Sequence, residues 1–174
     1  MIIASQKKKE NIAEYLLYMW QIEDIIRAYG LDIDQIQKHI EEQKKSMREW
    51  YESLIDMMHS EGVEKKGHLQ LNKNVLIDLT DLHLRLLKST REPFYGAAFF
   101  KTLPYIVELR AKSGEGKTGE LETCFNALYG VLLLRLQKKE IQSDTLKAIQ
   151  QISTFLSILA EKYKQEKAGE LELE

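Results

Sequence analysis

Apolar residues recur three and four positions apart along almost the whole chain, and no stretch of any length alternates at the two-residue period of a half-buried strand. That spacing stacks the apolar side chains of each segment on one helical face, so the chain is predicted to be all-α. The clearest run is Ile12, Tyr15, Met19, Ile22, Ile26 and Tyr29. It should stop at Gly30, the residue best suited to the left-handed conformation just beyond a helix end. Asp32 followed by Gln35 resembles a capping box, after which Ile33, Ile36, Ile40, Met47, Trp50, Leu54 and Met57 carry a second stripe to about Ser60. Within that long helix Glu41 to Ser46 is polar on every side, which predicts either a protrusion or a local bend.

Val75, Leu79, Leu82 and Leu86 form a third stripe, with Asn72 or Asn74 as its cap. The aromatic-rich fourth segment, Phe94 to Arg110, is interrupted by Pro104, so a kink near Phe100 to Leu103, or two short helices meeting there, is expected. The fifth, from about Glu120 to Lys138, is apolar around much of its circumference and should sit centrally. Ser143 is predicted to cap a sixth helix carrying Ile149, Ile152, Leu156, Leu159 and Tyr163. No repeat recurs with matched residues. The expectation is one bundle of about six helices spanning residues 1–167, kinked at Pro104, with 168–174 as an acidic frayed tail.

A chain of 174 residues with 2 prolines, 9 glycines, 30% charged and 44% apolar residues fits a globular class rather than a disordered or collagen-like one. The 25 basic and 27 acidic residues leave a net charge of −2, too weak a field to imply nucleic acid or an anionic membrane as partner. A single cysteine, Cys124, excludes an internal disulfide and a thiol-rich metal site. The longest apolar stretch, around Val131 to Leu134, falls far short of the roughly 20 residues of a membrane helix. Residues Met1 to Glu10 lack the apolar core of a signal peptide, so the expected location is cytoplasmic.

The stretches Glu10 to Ala28 (ENIAEYLLYMWQIEDIIRA), Pro104 to Ser113 (PYIVELRAKS) and Glu120 to Ile141 (ELETCFNALYGVLLLRLQKKEI) resemble a bacterial family of uncharacterised all-helical proteins, known as a domain of unknown function. The likeness spans nearly the whole chain. It implies a single helical domain in a bacterial cytoplasm and brings no activity and no site residues.

The sharpest motif is Ala111 to Thr118, AKSGEGKT, which satisfies the relaxed phosphate-loop pattern through Gly116, Lys117 and Thr118. For a nucleotide, Gly114 and Gly116 would bare backbone N–H groups to phosphate, Lys117 would pair with its charge and Thr118 would reach magnesium. Tyr105 to Leu109 would then be the preceding strand. Such a loop rests on a parallel sheet, which the chain lacks the strand–helix alternation to build. The five charges from Lys112 to Glu122 also sum to −1 where phosphate should sit. The glycines read better as a connection, and Glu120 and Glu122 as complements to the next helix dipole.

No histidine follows a glutamate by three residues, so the paired ligand motif of di-metal bundles is missing. His59 suits a helix C-terminus, His39 and His68 flank polar stretches, and His83 borders a leucine stripe; no metal and no cofactor is expected. Cys124, in an apolar helix, reads as a packed and inert thiol. The pairs Glu23/Arg27, Asp81/Arg85 and Glu108/Lys112 are spaced as ion pairs on charged faces. Lys44/Lys45, Lys65/Lys66, Lys138/Lys139 and the run Lys7 to Lys9 have acidic neighbours and read as solvated surface. No catalytic residue emerges.

The aromatic residues are uneven, and most are expected in the core. The first stripe carries further apolar residues off its main face, at Leu16, Leu17, Tyr18, Trp20 and Ile25, so that side of the helix is expected either to be buried by the fourth and fifth segments or to meet another chain or an apolar ligand. Three functions follow in order of preference. The first is a non-enzymatic helical module acting by protein association, with a homodimer through Tyr18 and Ile25 as the simplest form. The second is a small-molecule binder with an aromatic pocket between helices. The third is a nucleotide-binding protein using Gly116, Lys117 and Thr118.

Overall fold

Every periodic segment of the sequence is helical in the computed structural model, which describes residues 2–39, 45–113 and 118–173. Among the described residues there are eight helices and no strand. They are α1 (Ile2–Glu10), α2 (Ile12–Ala28), α3 (Ile33–His39), α4 (Lys45–Glu61), α5 (Gln70–Lys88), α6 (Pro93–Ser113), α7 (Glu120–Leu136) and α8 (Ser143–Ala168).

The all-α expectation stands, but eight helices replace six. The long second helix is described as α3 and α4, and the polar stretch Glu41 to Ser46 lies, as far as Lys44, outside the described residues. The other addition, α1, has almost no amphipathic stripe to betray it. Lys7, Lys8 and Lys9 in its last turn complement the negative end of its dipole, and Ala4 is buried. Immediately after it, the Asn11 side chain accepts hydrogen bonds from the backbone N–H groups of Ala13 (3.1 Å) and Glu14 (3.2 Å), capping α2.

Other ends follow the sequence more closely. Gly30 takes φ +64° after α2, and the Asp32 carboxylate caps α3 by accepting from the N–H groups of Asp34 (2.9 Å) and Gln35 (3.2 Å). Two expected caps are displaced. Asn72 lies inside the first turn of α5 with its amide committed elsewhere, and Ser143 is the first residue of α8, whose N-cap is Gln142. Pro104 does not divide the fourth segment: α6 is one 21-residue helix running through it. Proline there deprives the Phe100 carbonyl of its intrahelical donor, a loss tolerated in a helix that packs on both α7 and α8.

The chain forms two compact units, Met1–Val75 and Leu76–Glu174, and α5 begins in the first and continues in the second. In the first, α2 packs on α1 and α4, and α3 on α4, around Leu16, Met19, Ile26, Ile36, Leu54 and Met58. In the second, α6, α7 and α8 pack mutually around Leu82, Tyr95, Ile106, Phe125, Ile152 and Phe155. A fully buried side chain of this size contributes about 2–3 kcal/mol by removal from water, so these residues dominate cohesion in each unit. Beyond α8, the Ser89 hydroxyl donates to the Leu173 carbonyl at 2.8 Å, and Arg91 pairs with Glu172 at 2.8 Å.

Candidate functional site

The first unit holds a charge at its centre. Glu23 sits on α2 in register with Leu16, Met19 and Ile26, and its side chain is fully buried. Burying a carboxylate is costly unless donors replace its water. Three do so: the Leu69 backbone N–H (3.0 Å) and the Asn72 amide (2.6 Å) donate to Oε1, while His68 Nδ1 lies 2.6 Å from Oε2. Leu69 accepts the first backbone bonds of α5, from Asn72 and Lys73, so the Glu23 carboxylate also sits at the positive end of that helix.

The segment between α4 and α5 is tied down by the same group of residues. The Arg27 guanidinium, 4.0 Å from Glu23, donates to the Val63 carbonyl (3.2 and 3.3 Å) and to the Gly67 carbonyl, and pairs with Asp24 at 2.8 Å. The Trp20 indole stacks on His68 at 4.2 Å between centroids and 15° between planes, fixing the imidazole edge-on to the carboxylate. A carboxylate–histidine pair of this geometry orients an imidazole for proton transfer or metal binding. Yet among the described residues no group of three or more His, Cys, Asp or Glu could hold a metal. These bonds lock α2 to the start of α5.

The second unit buries its titratable groups without charge. His83 is packed among Phe99 (4.7 Å), Tyr95 (5.7 Å) and Phe155 (5.9 Å), with Nδ1 2.6 Å from the Tyr95 hydroxyl. Nε2 is buried and makes no hydrogen bond. Burial therefore pushes the imidazole pKa down to about 4, and it pushes the Tyr95 phenol well above its ordinary value. Cys124, also buried, has its thiol pushed up to about 12, chiefly by burial and then by Glu120. A thiol held protonated is a poor nucleophile, as its place in α7 implied.

The third feature is a surface. On α6, Tyr95, Phe99, Thr102 and Ile106 are buried at helical spacing. The opposite face carries Phe94, Ala97, Phe100, Pro104, Val107 and Ala111, all exposed, with Phe94 at 87%, Phe100 at 64% and Val107 at 57%. Aromatic content in this segment is thus divided between core and surface, rather than mostly core. By contrast, the outward face of α4 is mostly polar: the shallow hollow of about 520 Å³ lined by Glu49, Glu52, Ser53, Asp56, Met57 and Ser60 draws all of these residues from that one helix.

The residues singled out by sequence fall as follows. Tyr18 is half-buried beside Tyr51, and its phenol is raised by burial; Ile25 is 38% exposed, while Leu16 and Trp20 from the same broad apolar surface are buried. Gly116 and Lys117 lie outside the described residues; Thr118 is half-buried, and Tyr105 to Leu109 is helix within α6. Asp81/Arg85 and Glu108/Lys112 form the expected exposed pairs at 2.8 and 2.6 Å. Glu23/Arg27 does not, because Glu23 is buried. A signal for this existed: Glu23 continues the series Ile12, Leu16, Met19 and Ile26, and Asn72 continues Val75, Leu79 and Leu82, whereas nothing periodic marks His68 in its connection.

Among the described residues the protein is all-helical, with a buried carboxylate at the start of α5 and a buried histidine among aromatic rings. The chain belongs to the family described as domain of unknown function DUF4924, whose model matches residues 1–170. No curated protein and no solved structure matches it. Among the described residues no helix is long and apolar enough to cross a membrane.

Proposed function

We propose that this protein is a non-enzymatic helical module of the bacterial cytoplasm, needing no cofactor, that acts by binding another protein chain through the outer face of α6. One observation carries the reading: α6 is apolar on two opposite faces, and among the described residues one is buried while Phe94, Phe100 and Val107 on the other are exposed. A helix apolar all round belongs in a core, and contiguous exposed apolar surface on a soluble protein commonly marks an interface. Phe94 and Phe100 are of the residue kind that anchors such contacts. The rings that could line a ligand pocket, His83, Tyr95, Phe99 and Phe155, pack on one another instead, which favours association over small-molecule binding. The near-neutral charge of −2 favours a protein over nucleic acid.

The test is recovery of the tagged full-length chain, wild type and Phe100→Asp, from cells that naturally make it. A partner chain held by the wild type and lost by a variant with an unchanged circular dichroism spectrum is the expected result. Equal recovery of a partner by both proteins, or a chain that comes out alone in both and is also monomeric at every concentration, overturns the reading.

A further inference from the structure

We propose that the chain covering α6 is a second copy of this one, with the two α6 helices antiparallel about a two-fold axis passing beside Pro104. The proposal rests on the association reading above and adds the identity and geometry of the partner. Its basis is the charge arrangement along the exposed stripe. Ala97, Phe100, Pro104, Val107 and Ala111 form the apolar centre, and Lys101 and Glu108 lie along one edge of it, seven residues or about 10 Å apart. A two-fold axis perpendicular to an antiparallel pair brings the same edge of both helices to the same side. Centred between residues 104 and 105, it places Lys101 of each copy opposite Glu108 of the other. Parallel packing would instead carry that edge of the two helices to opposite sides of the contact, so that neither Lys101 nor Glu108 met its counterpart and the pairing would be lost.

The apolar residues fit the same register. At that centre Phe100 of one helix faces the space between Val107 and Ala111 of its partner, and Ala97 faces Ala111, so each bulky ring meets smaller side chains. Alanines toward both ends of the contact let the backbones approach, and Pro104, exposed at the centre, presents ring rather than polar surface. Among the described residues no ion pair engages Lys101, while Glu108 is held by Lys112 and has acceptor capacity to spare. The stripe from residue 97 to 111 is about 21 Å long, so this pair alone is a small interface, and the dimer should be weak and concentration-dependent.

Sedimentation of the full chain over a wide concentration range tests it. Wild type is expected to dimerise reversibly, and Phe100→Asp to weaken association more than about tenfold with no loss of helical signal. Lys101→Glu and Glu108→Lys should each weaken it by about two- to fivefold, and the two changes combined in one chain should restore it, since opposite charges then face each other again with their signs exchanged. Under mild oxidation Pro104→Cys should cross-link across the axis and Lys101→Cys should not; buried Cys124 takes no part. A dimer indifferent to Phe100→Asp, or one cross-linked through Lys101→Cys but not Pro104→Cys, overturns the geometry. A wild type monomeric at every concentration overturns self-association. If a different chain is then recovered by wild type and lost by Phe100→Asp, the broader association reading survives; if none is, both fall.

Discussion

Two acid–arginine pairs with the same four-residue spacing behave oppositely in the two units. Asp81 and Arg85 in the second meet at 2.8 Å with side chains 66% and 43% exposed, the solvated pair that such spacing suggests. Glu23 and Arg27 in the first are 4.0 Å apart, with the carboxylate fully buried. There the arginine is the lesser partner, and the charge is held chiefly by Leu69, Asn72 and His68. Spacing therefore reports which side chains share a helical face, while the cost and value of a charge depend on whether that face is covered. A covered carboxylate organises everything around it.

The largest effect that could break this contrast is Glu23→Ala. It would leave the Leu69 N–H, the Asn72 amide and His68 without their acceptor in a buried site, and should cost about 3–5 kcal/mol in chemical denaturation, a large share of a typical domain's stability. A loss under about 1 kcal/mol would mean that the carboxylate is not the organising group.

Next in size is a pH effect in the second unit. His83, neutral in the fold with a pKa near 4, titrates at about 6.5 when unfolded. Above about 6.5 both states are neutral and the stability is fully present; as pH falls toward 4 the unfolded chain takes up the proton first, and stability is lost by up to about 3 kcal/mol. His83→Phe should flatten that part of the acid limb, at the neutral-pH cost of leaving the Tyr95 hydroxyl without its partner. Urea midpoints of both proteins between pH 4 and 7 check this, and parallel limbs would assign the loss to other groups.

Arg27→Lys is smaller. A single ammonium cannot reproduce the fork that reaches the Val63 and Gly67 carbonyls, so a loss of about 1 kcal/mol is expected, together with faster amide exchange in the segment between α4 and α5. At the bottom of the series, Asp81→Asn removes an exposed pair and should change thermal stability by no more than about 0.5 kcal/mol. If Asp81→Asn and Glu23→Ala proved equal, the distinction between covered and uncovered pairs would fail.

How far the fold was legible follows from the same physics. Long stripes such as Val75, Leu79, Leu82 and Leu86 announced their helices because burial of one face leaves a period in the sequence. The helix α1 did not, since among its residues with described burial only Ala4 is buried, which leaves no apolar period. Asp32 was recognisable as a cap because its partners are two and three residues away, whereas Asn72 was misjudged because its true partner is 49 residues distant.

Local spacing was enough to establish that the chain is helical, where most helices begin and end, that Cys124 is an inert thiol, and which pairs of charges share a face. All of these depend on residues within about a turn of one another, or on the composition of a single helix. Folding in three dimensions was needed to bury Glu23 and expose Asp81, to stack His68 on Trp20, and to leave α6 with one apolar face in its own core while the other, with Phe94, Phe100 and Val107, stays uncovered. Those outcomes depend on which surfaces meet, and the periodicity of a helix records how many apolar faces it has without recording what covers each.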